Sequence, residues 1–125
     1  MPLYHRVFDA IDKTFYPALL VLLALRIQKA WIGAIVLLGI VTIAKMLVGR
    51  ERPDGSDRRS FPSGHSAMAW YTVPFYGWNP FVVAWAGLVS ASRVVFMRHY
   101  TTDVVAGGIL GAAVAHASLY YVWTL

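Results

Sequence analysis

Residues 30–48 form an apolar run broken by a single charge, Lys45, close to its end. A helix of about 20 such residues crosses the hydrocarbon core of a bilayer, where only helices and closed barrels satisfy every backbone group. The run is read as a helical span, and the composition of the whole chain agrees. Of its 125 residues 58% are hydrophobic and 14% charged, with a mean hydropathy of +0.57. A soluble domain would carry about a quarter charged residues. The length suits one domain, 1–125. Without cysteine there is no disulfide framework, thiol chemistry or cysteine-held metal. The net charge of +5 comes without a long basic run. Its cations sit beside apolar segments, which points to anionic lipid headgroups or an anionic substrate and away from nucleic acid.

The chain is expected to be all-α, an integral-membrane bundle of about five transmembrane helices. The first covers residues 14–26, short for a span, with Lys13 and Arg26 snorkelling at its ends. The second is 30–48. The third, 63–77, is also short, and Pro74 kinks or finishes it. The fourth, 80–97, begins on a proline in its first turn. The fifth, 102–123, contains Gly107, Gly108 and Gly111, which suit close packing in lipid. Tyr120, Tyr121 and Trp123 at its end form an interfacial anchor. Residues 1–13 are a polar N-terminus without the pattern of a cleavable signal peptide. The one long connection, 49–62, is rich in Arg, Asp, Gly, Ser and Pro, and is read as a loop.

Five spans place the end of the second helix, the start of the third, the end of the fourth and the start of the fifth on one side. Lys45, Arg52, Ser63, Gly64, His65, Arg93, His99 and Asp103 therefore gather at one membrane face. Lys45 alone reads as a snorkelling lysine. Arg93 lies a turn inside an apolar stretch, and a cation there faces a partner or a cavity. Residues 62–65, Pro-Ser-Gly-His, suit either an ordinary helix cap or an anion site at a helix N-terminus. His99 and Asp103 are four apart, so a carboxylate–imidazole dyad is favoured over a simple acidic helix start. Arg50, Arg58 and Arg59 are assigned to a solvated, self-paired loop, His5 to the polar N-terminus and His116 to a small-residue helix face, neither with a chemical role. A metal held by two histidines and a carboxylate fits poorly, because Lys45, Arg52 and Arg93 would repel the cation and attract a phosphate.

Lys45, six residues, Arg52-Pro53; then Pro62-Ser63-Gly64-His65; then Ser92-Arg93, five residues, His99, three residues, Asp103. This resembles the tripartite signature of the type 2 phosphatidic acid phosphatase superfamily, which also includes vanadium haloperoxidases. The resemblance implies that His99 attacks phosphorus to form a phosphohistidine, oriented by Asp103, and that His65 protonates the leaving oxygen. It implies that Lys45, Arg52, Ser63, Gly64 and Arg93 hold the phosphoryl oxygens, where each fixed donor is worth about 10²–10³ in rate. It further implies no metal and no cofactor, with vanadate as a phosphate-mimicking inhibitor.

Membrane relatives commonly have six spans, with the first motif closing the third. Here it closes the second, which puts the N-terminus on the active side. Family precedent implies a multi-pass protein of the cell membrane with its site on the extracytoplasmic face. The positive-inside rule points the other way, since only Arg26 and Lys29 oppose the many cations of the active side. The expected function is a lipid phosphatase acting on phosphatidic acid, phosphatidylglycerophosphate, a polyprenyl pyrophosphate or a lipid A phosphate. The rival reading is a non-catalytic membrane protein that binds anionic lipid or a partner helix. Vanadate-dependent peroxidase chemistry is a third.

Overall fold

The computed structural model describes residues 2–25 and 27–124, without the side chains of 27–29 and 121–124. The expectations placed on Arg26, Lys29, Tyr121 and Trp123 lie outside the described residues. The described chain folds into five helices: α1 (Leu3–Ala24), α2 (Ile27–Val48), α3 (Gly64–Phe75), α4 (Pro80–Val95) and α5 (Thr101–Thr124). Two contain stretches long and apolar enough to cross a membrane, Ala30–Val48 and Thr101–Tyr120, while Pro80–Val95 is a shorter apolar helix.

The main departure from expectation is α1. The segment expected as a polar N-terminus ahead of the first helix is, from Leu3 onward, the first half of that helix. Local pairs support it there: Lys13 bridges Asp9 at 2.8 Å across one turn, and the Thr14 hydroxyl donates to the Ala10 carbonyl at 2.7 Å.

The short α3 is the hub, packed against all four other helices. Ser63 caps its start by accepting from the Ser66 N–H at 3.2 Å. Its C-terminus closes in a Schellman turn. Gly77 takes a left-handed φ of 61°, and the Gly77 and Trp78 amides donate to the carbonyls of Pro74 and Val73. At 12 residues it is only about 18 Å long, too short to span alone, and neighbours cover most of it. The closest of them is α5. A Cβ built on Gly111 would run into the Ala67 backbone, and one on Gly107 into the Ser63 carbonyl. Only hydrogen permits that approach, the packing device anticipated for this helix in lipid.

Several polar groups between the helices are paired. Ser66 Oγ donates to the Val104 carbonyl at 2.7 Å, and Trp70 Nε1 donates to Ser90 Oγ at 3.0 Å. The outward faces are apolar, with Ile32, Ile35, Leu47, Phe81 and Ile109 all largely exposed, while Lys45, Arg93, His99 and Asp103 are buried. That inverts the usual distribution of a soluble protein. It is the arrangement of a membrane-associated chain that keeps its charges inside.

Candidate active site

The end of α4 sets two key side chains. Met97 adopts a left-handed φ of 56°, and the chain folds back in a second Schellman turn. The Met97 amide donates to the Val94 carbonyl, and the amides of Arg98 and His99 both donate to that of Arg93. Arg93, on the last turn of the helix, and His99, just beyond it, are thereby brought to the same place. The loop 49–62 docks on this turn. The Asp54 amide donates to the Met97 carbonyl at 3.1 Å, and Arg98 pairs with Asp54 at 3.1 Å and with Ser56 Oγ at 3.1 Å.

His99 does not form the direct bond to Asp103 expected from their spacing. Its Nδ1 lies 2.7 Å from the Ser60 carbonyl and 3.8 Å from Asp103 Oδ2. The reason is that α5 begins only at Thr101, so His99 is outside the helix whose face was to carry both residues. A carbonyl oxygen can only accept, so Nδ1 carries the hydrogen and Nε2 keeps its lone pair. That nitrogen is 3.3 Å from Arg52 NH1.

Asp103 is fully buried and holds the surroundings together. Its Oδ2 accepts from the Ser60 hydroxyl and, at 2.8 Å, from the Tyr100 amide. The second contact is the reach-back of an acid in a helix's first turn, and Asp103 is the acid of that turn in α5. Its Oδ1 accepts from Arg50 at 3.0 Å. The carboxylate thus takes the helix-start role that the sequence reading ranks second, and reaches the imidazole only through Ser60 in place of the favoured direct dyad.

A cavity of about 380 Å³ lies at this end of the bundle, lined by Lys45, Arg52, Gly64, His65, Arg93 and His99 together with Arg98. Its remaining wall, which includes Leu19, Leu38, Val41 and Met68, is apolar. Lys45 Nζ donates to the Arg59 carbonyl at 2.6 Å. Arg52 Nε donates to Asp57 at 2.7 Å, and its NH1 to the Arg98 carbonyl at 3.2 Å. The His65 ring packs on Phe15, with centroids 4.4 Å apart, and meets Tyr16 edge-on. Of the residues singled out from sequence, Ser63 and Asp103 do not line the cavity. The Ser63 hydroxyl serves as the α3 cap, and its amide donates to the Asp103 carbonyl at 3.0 Å.

Several residues here escaped the sequence reading. Arg50, assigned to a solvated loop, instead holds Asp103 and Thr102 and covers the Tyr100 ring at 3.9 Å. Ser60 joins His99 to Asp103. Asp12, from the segment expected as a polar N-terminus, pairs with Arg93. Arg98 lines the cavity. For Ser60 and Asp12 the sequence holds no local signal, since their partners lie 43 and 81 residues away.

Burial pushes His99 down to about 4, assisted by the positive charges of Arg52, Lys45 and Arg93 and opposed by the Ser60 carbonyl. The ring is therefore neutral at neutral pH. Hydrogen bonds to Ser56 and Arg98 hold the Asp54 carboxyl at about 2, and the Arg52 side chain holds Asp57 below the usual carboxylate range. The loop carboxylates are ionised partners of the site's arginines.

The profile of the PAP2 superfamily matches residues 19–125. The Lipid A 1-phosphatase of Porphyromonas gingivalis is 33% identical over 99 residues, which cover 66% of this chain. The chain spans about a fifth of the length of that curated relative, of which 21% is covered. No solved structure matches the chain significantly.

Proposed function

The chain belongs to the PAP2 superfamily, and on that footing we propose that it is an integral-membrane lipid phosphatase working through a phosphohistidine. The observation that carries this reading is the make-up of one cavity. Lys45, Arg52, Arg93, His65 and His99 meet at its polar end, and its wall continues as aliphatic and aromatic side chains. A phosphate at the polar end with its lipid tail against that wall matches both halves. The proposed setting is a multi-pass cell-membrane protein with five spans, its site on the extracytoplasmic face as in most membrane relatives.

In the proposed reaction, the His99 Nε2 lone pair attacks phosphorus and the P–O bond to the lipid breaks on the opposite side. His65, acting as the general acid, gives a proton to the departing oxygen, and a neutral lipid alcohol leaves; from a pyrophosphate the leaving group is the lipid monophosphate. Water then attacks the phosphohistidine while neutral His65 takes its proton. The N–P bond breaks, its electron pair returns to Nε2, and inorganic phosphate departs. Lys45, Arg52 and Arg93, with the Gly64 amide, balance charge on the phosphoryl oxygens as it develops. Asp103 acts through Ser60 and Tyr100 to hold the His99 loop. No step uses a metal or cofactor, and vanadate, which mimics the pentacoordinate phosphorus, would inhibit.

The substrate panel is phosphatidic acid, phosphatidylglycerophosphate, a polyprenyl pyrophosphate and a lipid A phosphate. The last is favoured by the relative's name. The experiment is phosphate release in detergent with chelator present. Release from at least one lipid, abolished by His99→Ala and by His65→Ala, is expected; full activity in either variant would sink the mechanism. Arg93→Lys separates this reading from a passive headgroup binder. A binder tolerates the retained charge, whereas a phosphatase loses the bidentate fork and most of its rate.

A further inference from the structure

Arg93 is 6% exposed and deep in the site, yet its guanidinium is only half engaged. NH1 donates to one oxygen of Asp12, while the buried Nε has no hydrogen-bond partner among the described residues. Asp12 comes from α1, one turn before Phe15 and Tyr16, which line the same cavity. Its side chain is 36% exposed, against 8% for that of Arg93. The carboxylate can therefore withdraw to water, while the guanidinium cannot. Arg52 and Arg98 also hold carboxylates, but those partners, Asp57 and Asp54, belong to the loop that builds the site. Asp12 alone comes from a helix outside that loop and the three motifs.

Resting on the phosphatase reading, we propose that Asp12 is a specificity-determining residue. It is an internal anion on Arg93 that a terminal phosphate displaces and a phosphodiester does not. A dianionic terminal phosphate brings more charge than the carboxylate, and the guanidinium edge that carries the orphaned Nε is free to receive it as a bidentate pair. A phosphodiester brings one negative charge, no more than the carboxylate it would replace, so the exchange gains it little. In a membrane the abundant competing anions are diester headgroups, and a resident carboxylate would keep them from Arg93.

The test measures binding rather than turnover, by titrating the purified protein in detergent with inorganic phosphate in its dianionic form and with dimethyl phosphate. The wild-type protein is expected to bind phosphate and to bind dimethyl phosphate far more weakly. Asp12→Asn should tighten dimethyl phosphate binding by about tenfold or more and narrow the difference between the two ions. Asp12→Glu should keep the discrimination. Asp9→Asn removes the same charge from the same helix away from Arg93, and should leave both affinities within about twofold. If Asp12→Asn leaves the ratio unchanged, or weakens phosphate, Asp12 is a structural prop for Arg93 and the proposal fails while the phosphatase reading stands. If Asp9→Asn has the same effect as Asp12→Asn, the cause is long-range charge and the proposal likewise fails. If the wild-type protein binds neither ion, both readings fall together.

Discussion

The Ser60 carbonyl accepts the Nδ1 hydrogen of His99 at 2.7 Å. The Ser60 hydroxyl donates to Asp103, so a single loop residue sets the tautomer of the proposed nucleophile and ties it to a buried carboxylate. Ser60→Ala keeps the carbonyl and deletes the hydroxyl. The expected outcome is a fall in kcat of about tenfold, with KM within about twofold, because Ser60 does not line the cavity. Ser60→Thr should recover most of the rate. A change confined to KM would contradict a positioning role.

The depressed His99 pKa makes a pH prediction. Protonation removes the Nε2 lone pair, and the group titrates near 4 rather than at its ordinary 6.5. A lowered value means the neutral, reactive form persists as pH falls through 6.5 and is lost only near the folded value. Titration of the His99 ring, followed by NMR, should therefore have its midpoint close to pH 4 and not between pH 6 and 7. A midpoint at 6.5 would mean that the imidazole is hydrated and not buried as seen here.

Asp57 holds Arg52 by its Nε at 2.7 Å, leaving NH1 to face His99 and the Arg98 carbonyl. Asp57→Asn weakens that hold without removing the guanidinium. KM for the lipid phosphate should rise by roughly threefold to tenfold, with a smaller loss in kcat, read from steady-state kinetics in detergent. Arg52→Lys should be worse than Asp57→Asn, because a lysine offers one point of charge where the arginine serves three partners.

The α3–α5 seam predicts an asymmetric glycine scan. A Cβ at Gly111 overlaps the Ala67 backbone, whereas one at Gly39 meets nothing within 4 Å. Gly111→Ala should lower the thermal midpoint in detergent and activity with it. Overpacking costs about 1–3 kcal/mol when neighbours can shift, and here the neighbour is main chain. Gly39→Ala should melt like the parent protein. Equal midpoints for the two variants would mean that the helices do not approach as described.

The helices were legible because each rests on local chemistry. Apolar runs, the Ser63 cap and the proline at the start of α4 act within a few residues, and the structure places four of the five helices within about three residues of expectation. The exception, α1, shows the limit of that reading. Asp9, Asp12 and Lys13 lower the hydropathy of its first half, so it reads as a polar N-terminus ahead of the helix, yet a helix needs only one apolar face and its own hydrogen bonds to continue.

The sequence by itself determined that this chain is helical, that it belongs with membranes, and that Lys45, Arg52, His65, Arg93 and His99 fall at one end of the bundle. Counting alternate helices is enough for that, because the end of the bundle at which each helix terminus falls follows from the direction of its helix. What only the tertiary structure decided is who pairs with whom: Ser60 with both His99 and Asp103, Arg50 with Asp103, Asp12 with Arg93. The pairs Ser60–Asp103, Arg50–Asp103 and Asp12–Arg93 join residues 43, 53 and 81 positions apart. The physical reason is reach. Hydropathy and capping are written over one or a few turns of chain, whereas a hydrogen bond forms only between groups within about 3 Å, and packing alone brings these together.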